Sequence, residues 1–147
     1  MFWLASAHAQ EWTRFRGPNG SGTSETEIPA KWTQETRLWK TKLPGTGHGS
    51  PVLWGGQVFL NAAQDHGRKR LVTSIDAASG KVLWSTPFES SKHKTHKHNS
   101  FATSTPTVDA KNVFSVWGHK GELRVVALDH DGKTAWDRDL GGVNGGH

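Results

Sequence analysis

The chain contains no cysteine, which excludes a disulfide framework, a thiolate metal site and a cysteine nucleophile. It has no tyrosine, no run near the roughly 18 apolar residues of a membrane-spanning helix, and no segment that sustains a helical period. Only 33% of its 147 residues are hydrophobic, a small apolar complement for a globular chain. No Ser-His-Asp arrangement or set of paired carboxylates is visible, and the glycines of 17–22 and 141–146 lack the strand-to-helix context of a phosphate loop. Against these absences stand 17 glycines and eight tryptophans, so turns and one large aromatic type characterise the chain. Eighteen basic residues against 13 acidic ones leave a net charge of +5, and the histidines add to it below about pH 6.5. That balance suits an anionic partner in a general way.

One pattern is written twice. Pro51-Val52, Val58-Phe59 and Asp76-Ala77-Ala78-Ser79-Gly80-Lys81-Val82-Leu83-Trp84 are followed by Pro106-Thr107, Val113-Phe114 and Asp129-His130-Asp131-Gly132-Lys133-Thr134-Ala135-Trp136. Self-similarity at a period of about 50 residues, built from short strands and turn residues, predicts blades of a β-propeller. The fold class is therefore all-β, with four-stranded antiparallel blades and a ring left incomplete at two blades. In the first blade strands are expected at Pro51 to Trp54, Gln57 to Ala62, Arg70 to Asp76 and Lys81 to Pro87. In the second they are expected at Thr105 to Val108, Asn112 to Trp117, Glu122 to Asp129 and Lys133 to Asp139. Each link carries a glycine or Asx residue suited to a tight hairpin.

The divisions that follow are 36–43 as a closing outer strand, 44–88 as blade 1, 89–101 as a basic inter-blade loop and 102–141 as blade 2. Ahead of them lie residues 1–9, a remnant of an export signal, and an N-terminal extension over 10–35. Ala7-His8-Ala9 has the small-x-small form of a signal-peptidase site, so Met1 reads as a start inside a longer export signal. This points to a periplasmic or extracellular location. The run 142–147 reads as a truncated loop, and exposed strand edges on a two-blade piece predict self-association when the chain stands alone.

The physics of the repeated turn accounts for its residues. Asp76 and Asp129 close the third strands and can accept hydrogen bonds from turn amides, while Gly80 and Gly132 supply a left-handed position beside Lys81 and Lys133. Trp84 and Trp136 then land on a fixed sheet face, where an indole can fill the wedge between blades. Trp39 is the third copy. These nine residues read as structural docking groups. Asp76, Asp129, Asp131 and Asp139 are offered as general bases only against the commoner Asx-capping role.

The segment Ser74-Ile75-Asp76-Ala77-Ala78-Ser79-Gly80-Lys81-Val82-Leu83-Trp84 resembles the tryptophan-docking motif of quinoprotein-dehydrogenase-like (PQQ-like) β-propeller repeats, Ala-x-Asp-x-x-Thr-Gly-Lys-x-x-Trp. The second copy keeps Ala127, Asp129, Gly132-Lys133 and Trp136 with a turn one residue shorter. Phe15-Arg16-Gly17-Pro18-Asn19-Gly20 and Ser50-Pro51-Val52 are similar to exported, planctomycete-type members. The resemblance covers most of the chain from Trp12 onward and implies a piece of a ring of seven or eight blades. In the family's dehydrogenases it also implies PQQ held with calcium beside a catalytic aspartate and a vicinal cysteine pair. None of those motifs can be matched here, so no cofactor is expected in this segment.

Two further groupings carry chemistry. His93, His96 and His98 are close enough in sequence to ligate zinc, copper or nickel, although Lys92, Lys94 and Lys97 between them repel a cation. The same lysines read equally as a contact for an anion, a protein or an anionic polymer on the propeller rim. The segments Gly47 to Ser50 and Ala102 to Ser104 are expected near the axis. The functional reading is a non-catalytic binding or assembly scaffold. Its alternatives are a fragment of a quinone-dependent dehydrogenase, and an incomplete reading frame without activity of its own.

Overall fold

A computed structural model describes residues 11–26, 30–92 and 95–142. Eight strands follow in chain order: β1 (Val52–Trp54), β2 (Gln57–Gln64), β3 (Lys69–Asp76), β4 (Val82–Glu89), β5 (Thr107–Val108), β6 (Asn112–His119), β7 (Glu122–Asp129) and β8 (Thr134–Gly142). They form two separate four-stranded sheets, β1-β2-β3-β4 and β5-β6-β7-β8, antiparallel throughout. Each is a meander, so each is one propeller blade, and two blades leave the ring open.

The registers repeat as well as the order. Val52 pairs with Phe59 in the first sheet and Thr107 with Phe114 in the second. On the third and fourth strands Ser74 faces Trp84 and Ala127 faces Trp136, and in each blade the register shifts at the next residue. A small side chain opposite each indole leaves the ring room to leave its own sheet.

Strand limits differ from the expected ones where hydrogen bonding dictates. Neither Pro51 nor Pro106 can donate to a ladder, so β1 and β5 begin after them and β5 has only two residues. The later strands outlast the apolar pattern: β2 runs to Gln64, β4 to Glu89, β6 to His119 and β8 to Gly142. Residues 36–43, expected to be an outer strand, have no strand partner among the described residues. That segment is held by the side chains of Trp39 and Thr41, which donate to Ala77 O and Gly80 O. The expected export-signal remnant and residues 143–147 lie outside the described residues.

The core lies between the blades. Val52, Phe59, Val72 and Phe88 from the first sheet form one buried cluster with Val108, Val113, Trp117, Val126 and Leu128 from the second, with Trp54 and Trp84 packed against it. In β3, Arg70 through Ile75 are buried without interruption, whereas in β7 only Val126 to Leu128 are. Both faces of blade 1 are therefore covered along β3, whereas in β6 burial alternates, Val113, Ser115 and Trp117 being buried and Phe114 and Val116 half-buried, so one face of blade 2 is more open. Residues 11–13 line the inner edge: Trp12 exchanges two backbone hydrogen bonds with Leu53, and Val108 N–H donates to Thr13 O.

Candidate functional site

Two turns of one design each receive an indole, the first being the β3–β4 turn, which takes Trp39 of the 36–43 segment. Asp76 Oδ1 accepts from Ser79 Oγ at 2.5 Å and from Ser79 N at 2.7 Å. These bonds hold the Asp76 carboxyl below the usual carboxylate range, the Ser79 hydroxyl contributing most. Gly80 sits at φ +73°, where a Cβ would stand 2.5 Å from Trp39 Cδ2. The bare backbone lets the indole lie flat, and Trp39 Nε1 donates to Ala77 O at 2.9 Å while Thr41 Oγ1 donates to Gly80 O.

The second turn repeats this chemistry. Asp129 Oδ1 accepts from Lys133 N at 2.8 Å and from Asp131 N at 3.1 Å. Trp84 Nε1 donates to His130 O at 2.8 Å and Thr86 Oγ1 to Gly132 O at 2.7 Å. Gly132, at φ +85°, would place a Cβ 2.5 Å from Trp84 Cδ2. Lys81 and Lys133 point to solvent, and their carbonyls accept from the amides of Asp76 and Asp129.

The partnership of tryptophan with a threonine two residues later was missed by sequence reasoning. Its signal was available, because Trp39-Lys40-Thr41 and Trp84-Ser85-Thr86 share it. The third copy, Trp136-Asp137-Arg138, breaks it. Trp136 is 37% exposed and meets Phe114 at 6.0 Å between ring centroids. Both described turns of this kind already hold an indole, so none remains for Trp136 among the described residues.

Three polar joints, also unread in the sequence, reinforce the packing. Buried Asn61 donates to Ser104 O at 3.0 Å and accepts from Ser115 Oγ at 2.7 Å, tying β2 to blade 2. His48 and Gly49 both donate their N–H to Ala102 O, which brings the expected 47–50 and 102–104 segments together as a backbone contact. Arg124 donates to Asp137 Oδ1 at 2.8 Å and to Glu89 O at 2.9 Å, and lies 5.9 Å from the ring centroids of Phe88 and Trp117. The bond from Arg124 lowers the Asp137 carboxyl pKa and raises that of the guanidinium.

The basic loop lies beside this joint. Lys92, His96, Lys97 and His98 are exposed, and His93 and Lys94 lie outside the described residues. His98 N–H donates to His96 Nδ1 at 3.3 Å, and the two rings stand 5.3 Å apart. Among the described residues no group of three or more His, Cys, Asp or Glu stands together as a metal cage.

Among the described residues the donor groups do not make the calcium and quinone site that the resemblance describes. Asp76, Asp109 and Asp129 are engaged by turn amides, Asp137 by Arg124 and the Asn61 carboxamide by Ser104 and Ser115.

One concavity of about 740 Å³ is lined by Trp32, Leu38, Trp39 and neighbours, with Arg37 the charged group among the described residues that line it. A second, of about 340 Å³, lies between β3, the 95–104 segment and β6. No helix of the described residues is long and apolar enough to cross a membrane.

A PQQ-like repeat family model described as outer membrane protein assembly factor BamB matches residues 30–145. A solved structure titled europium-containing methanol dehydrogenase is similar at 20% identity and a TM-score of 0.44, over 61% of this chain and 15% of that one. The chain thus spans a small part of the length of that structure. No curated protein matches the sequence.

Proposed function

Because the chain belongs to the PQQ-like repeat family described as outer membrane protein assembly factor BamB, we propose that it acts as a non-catalytic binding and assembly scaffold of the cell envelope. The observation that carries this reading is where its functional groups are spent. The turn at Asp129 and Gly132 joins blade to blade through Trp84 and Thr86, and the turn at Asp76 and Gly80 holds Trp39 and Thr41 of the 36–43 segment. Among the described residues that follow the exposed Glu89 in the inter-blade loop, the exposed charged groups are Lys92 and Lys97, with His96 and His98 beside them. Such a rim recognises an acidic protein surface or an anionic polymer through charge, and its affinity falls with salt.

The export-like Ala7-His8-Ala9 supports a periplasmic or extracellular setting, in keeping with the family's description. The more open face of blade 2 and the outer edge of β8 favour self-association of the chain in isolation. Sedimentation of the purified chain tests that part, and a monomer across the micromolar range would reject it.

Binding is tested by titrating the chain against an unfolded outer-membrane β-barrel polypeptide and, separately, heparin, each followed by fluorescence anisotropy. Saturable, salt-sensitive binding is expected, weakened several-fold by Lys92→Glu with Lys97→Glu. Binding indifferent to both charge reversals would reject the rim. Alcohol-dependent dye reduction on adding PQQ with calcium would replace the scaffold reading with the dehydrogenase one.

A further inference from the structure

The start of β3 buries a positive charge without a counter-charge. Arg70 is 3% exposed. Its Nη1 donates to Gly67 O at 3.0 Å, and its guanidinium lies 5.4 Å from the centroid of the Phe101 ring. Its Nε is buried and has no acceptor. The ion pairs among the described residues are Arg68–Asp65 and Arg124–Asp137, so no carboxylate meets Arg70. Taking an ion out of water without a partner costs several kcal/mol, and arginine cannot escape that cost by losing its proton. A sequence that keeps a guanidinium here is poised for an anion.

A second donor is in the same condition. Trp117 is 7% exposed and its Nε1 is buried without a partner. Arg70 and Trp117 line one cavity of about 340 Å³, whose remaining polar lining includes Asn99, Ser100, Thr103 and Ser104. That size lies at the low end of the roughly 300–1,000 Å³ that small organic ligands occupy.

The covalent geometry of arginine identifies the ligand class. With Nη1 occupied by Gly67 O, the edge left over is the one formed by Nε and Nη2. Two parallel N–H groups on one edge match the two oxygens of a carboxylate. One buried guanidinium balances one negative charge, which favours a carboxylate over a phosphate dianion. We propose that the cavity between β3, the 95–104 segment and β6 binds a small organic acid, its carboxylate held by the Nε edge of Arg70 with the Trp117 indole N–H as further donor. This site is independent of the scaffold reading and of the exposed lysines.

The test is a titration of the full-length, ¹⁵N-labelled chain at pH 7 with sodium acetate and then succinate, against sodium chloride and sodium phosphate at matched ionic strength. The Arg70 Nε–H and Trp117 Nε1–H resonances are expected to move together and saturate with the carboxylates, and not with chloride. In Arg70→Lys, which keeps the charge and loses the fork, the Trp117 response should weaken at least tenfold. The wild-type titration stands even if that variant fails to fold. Failure of acetate and succinate to produce a saturating shift, or an equal response to chloride, overturns the site. Tighter binding of phosphate overturns the carboxylate assignment. Saturation by a blocked glutamate peptide alone, with acetate and succinate silent, assigns the cavity to an acidic side chain and overturns the small-acid reading.

Discussion

Replacing Gly132 by alanine measures what one blade-to-blade joint contributes. The residue sits at φ +85°, and holding an L-residue in the left-handed region costs about 1–2 kcal/mol. The new methyl would lie 2.5 Å from Trp84 Cδ2, so the indole has to retreat. Retreat breaks the Trp84 Nε1 bond to His130 O and strains that of Thr86 to Gly132 O, each worth about 1 kcal/mol net. The sum is about 3–4 kcal/mol, or roughly 10 °C in Tm for a chain of this size. Gly121→Ala supplies the control, because Gly121 has φ +83° and open space where its Cβ would be. It should cost only the backbone strain, about 1–2 kcal/mol. Thermal and urea unfolding of both variants separates the two terms. Equal losses would refute the claim that glycine is needed there for contact with the indole.

Three further outcomes follow from the same structure. Asn61→Ala leaves buried Ser115 Oγ without its acceptor and should cost about 1–3 kcal/mol; combined with Ser115→Ala in a urea double-mutant cycle, the losses should be less than additive, and strict additivity would contradict the joint. Asp137→Asn should cost about 1 kcal/mol at pH 7, the pair being only partly buried. Because Arg124 lowers the folded-state pKa of Asp137, that contribution is present above the unfolded value of about 3.9 and fades as pH falls through the folded one. The variant and the parent should therefore converge in urea midpoint at low pH, and a gap that persists or widens there would exclude the ion pair as its source. Trp84→Ser should destabilise by about 3 kcal/mol or more, whereas Trp136→Ser should cost about 1 kcal/mol or less, its ring being 37% exposed; similar melting temperatures for the two variants would refute the asymmetry.

Much of the fold was legible because its signals are local. The period of the repeat and the Asx and glycine residues in the turns act within a few residues, so strand existence and order could be read directly. Strand ends were less legible, since proline's missing N–H trims β1 and β5 while ladder bonds extend β4 and β8 past the apolar pattern. Residues 36–43 show the limit of periodicity: they alternate like a strand, yet a strand needs a neighbour, and among the described residues they have only the turn that receives Trp39 and Thr41.

By itself, then, the sequence determined an all-β repeat with turns shaped around Asp76, Gly80, Asp129 and Gly132, because turn geometry and strand period are properties of neighbouring residues. Only the tertiary structure decided which turn receives which tryptophan, that Asn61 reaches Ser104 and Ser115, and that Arg70 and Trp117 come from different blades to line one cavity. Those groups lie tens of residues apart, and whether a buried donor has a partner depends on every chain segment folded around it, which no local pattern encodes.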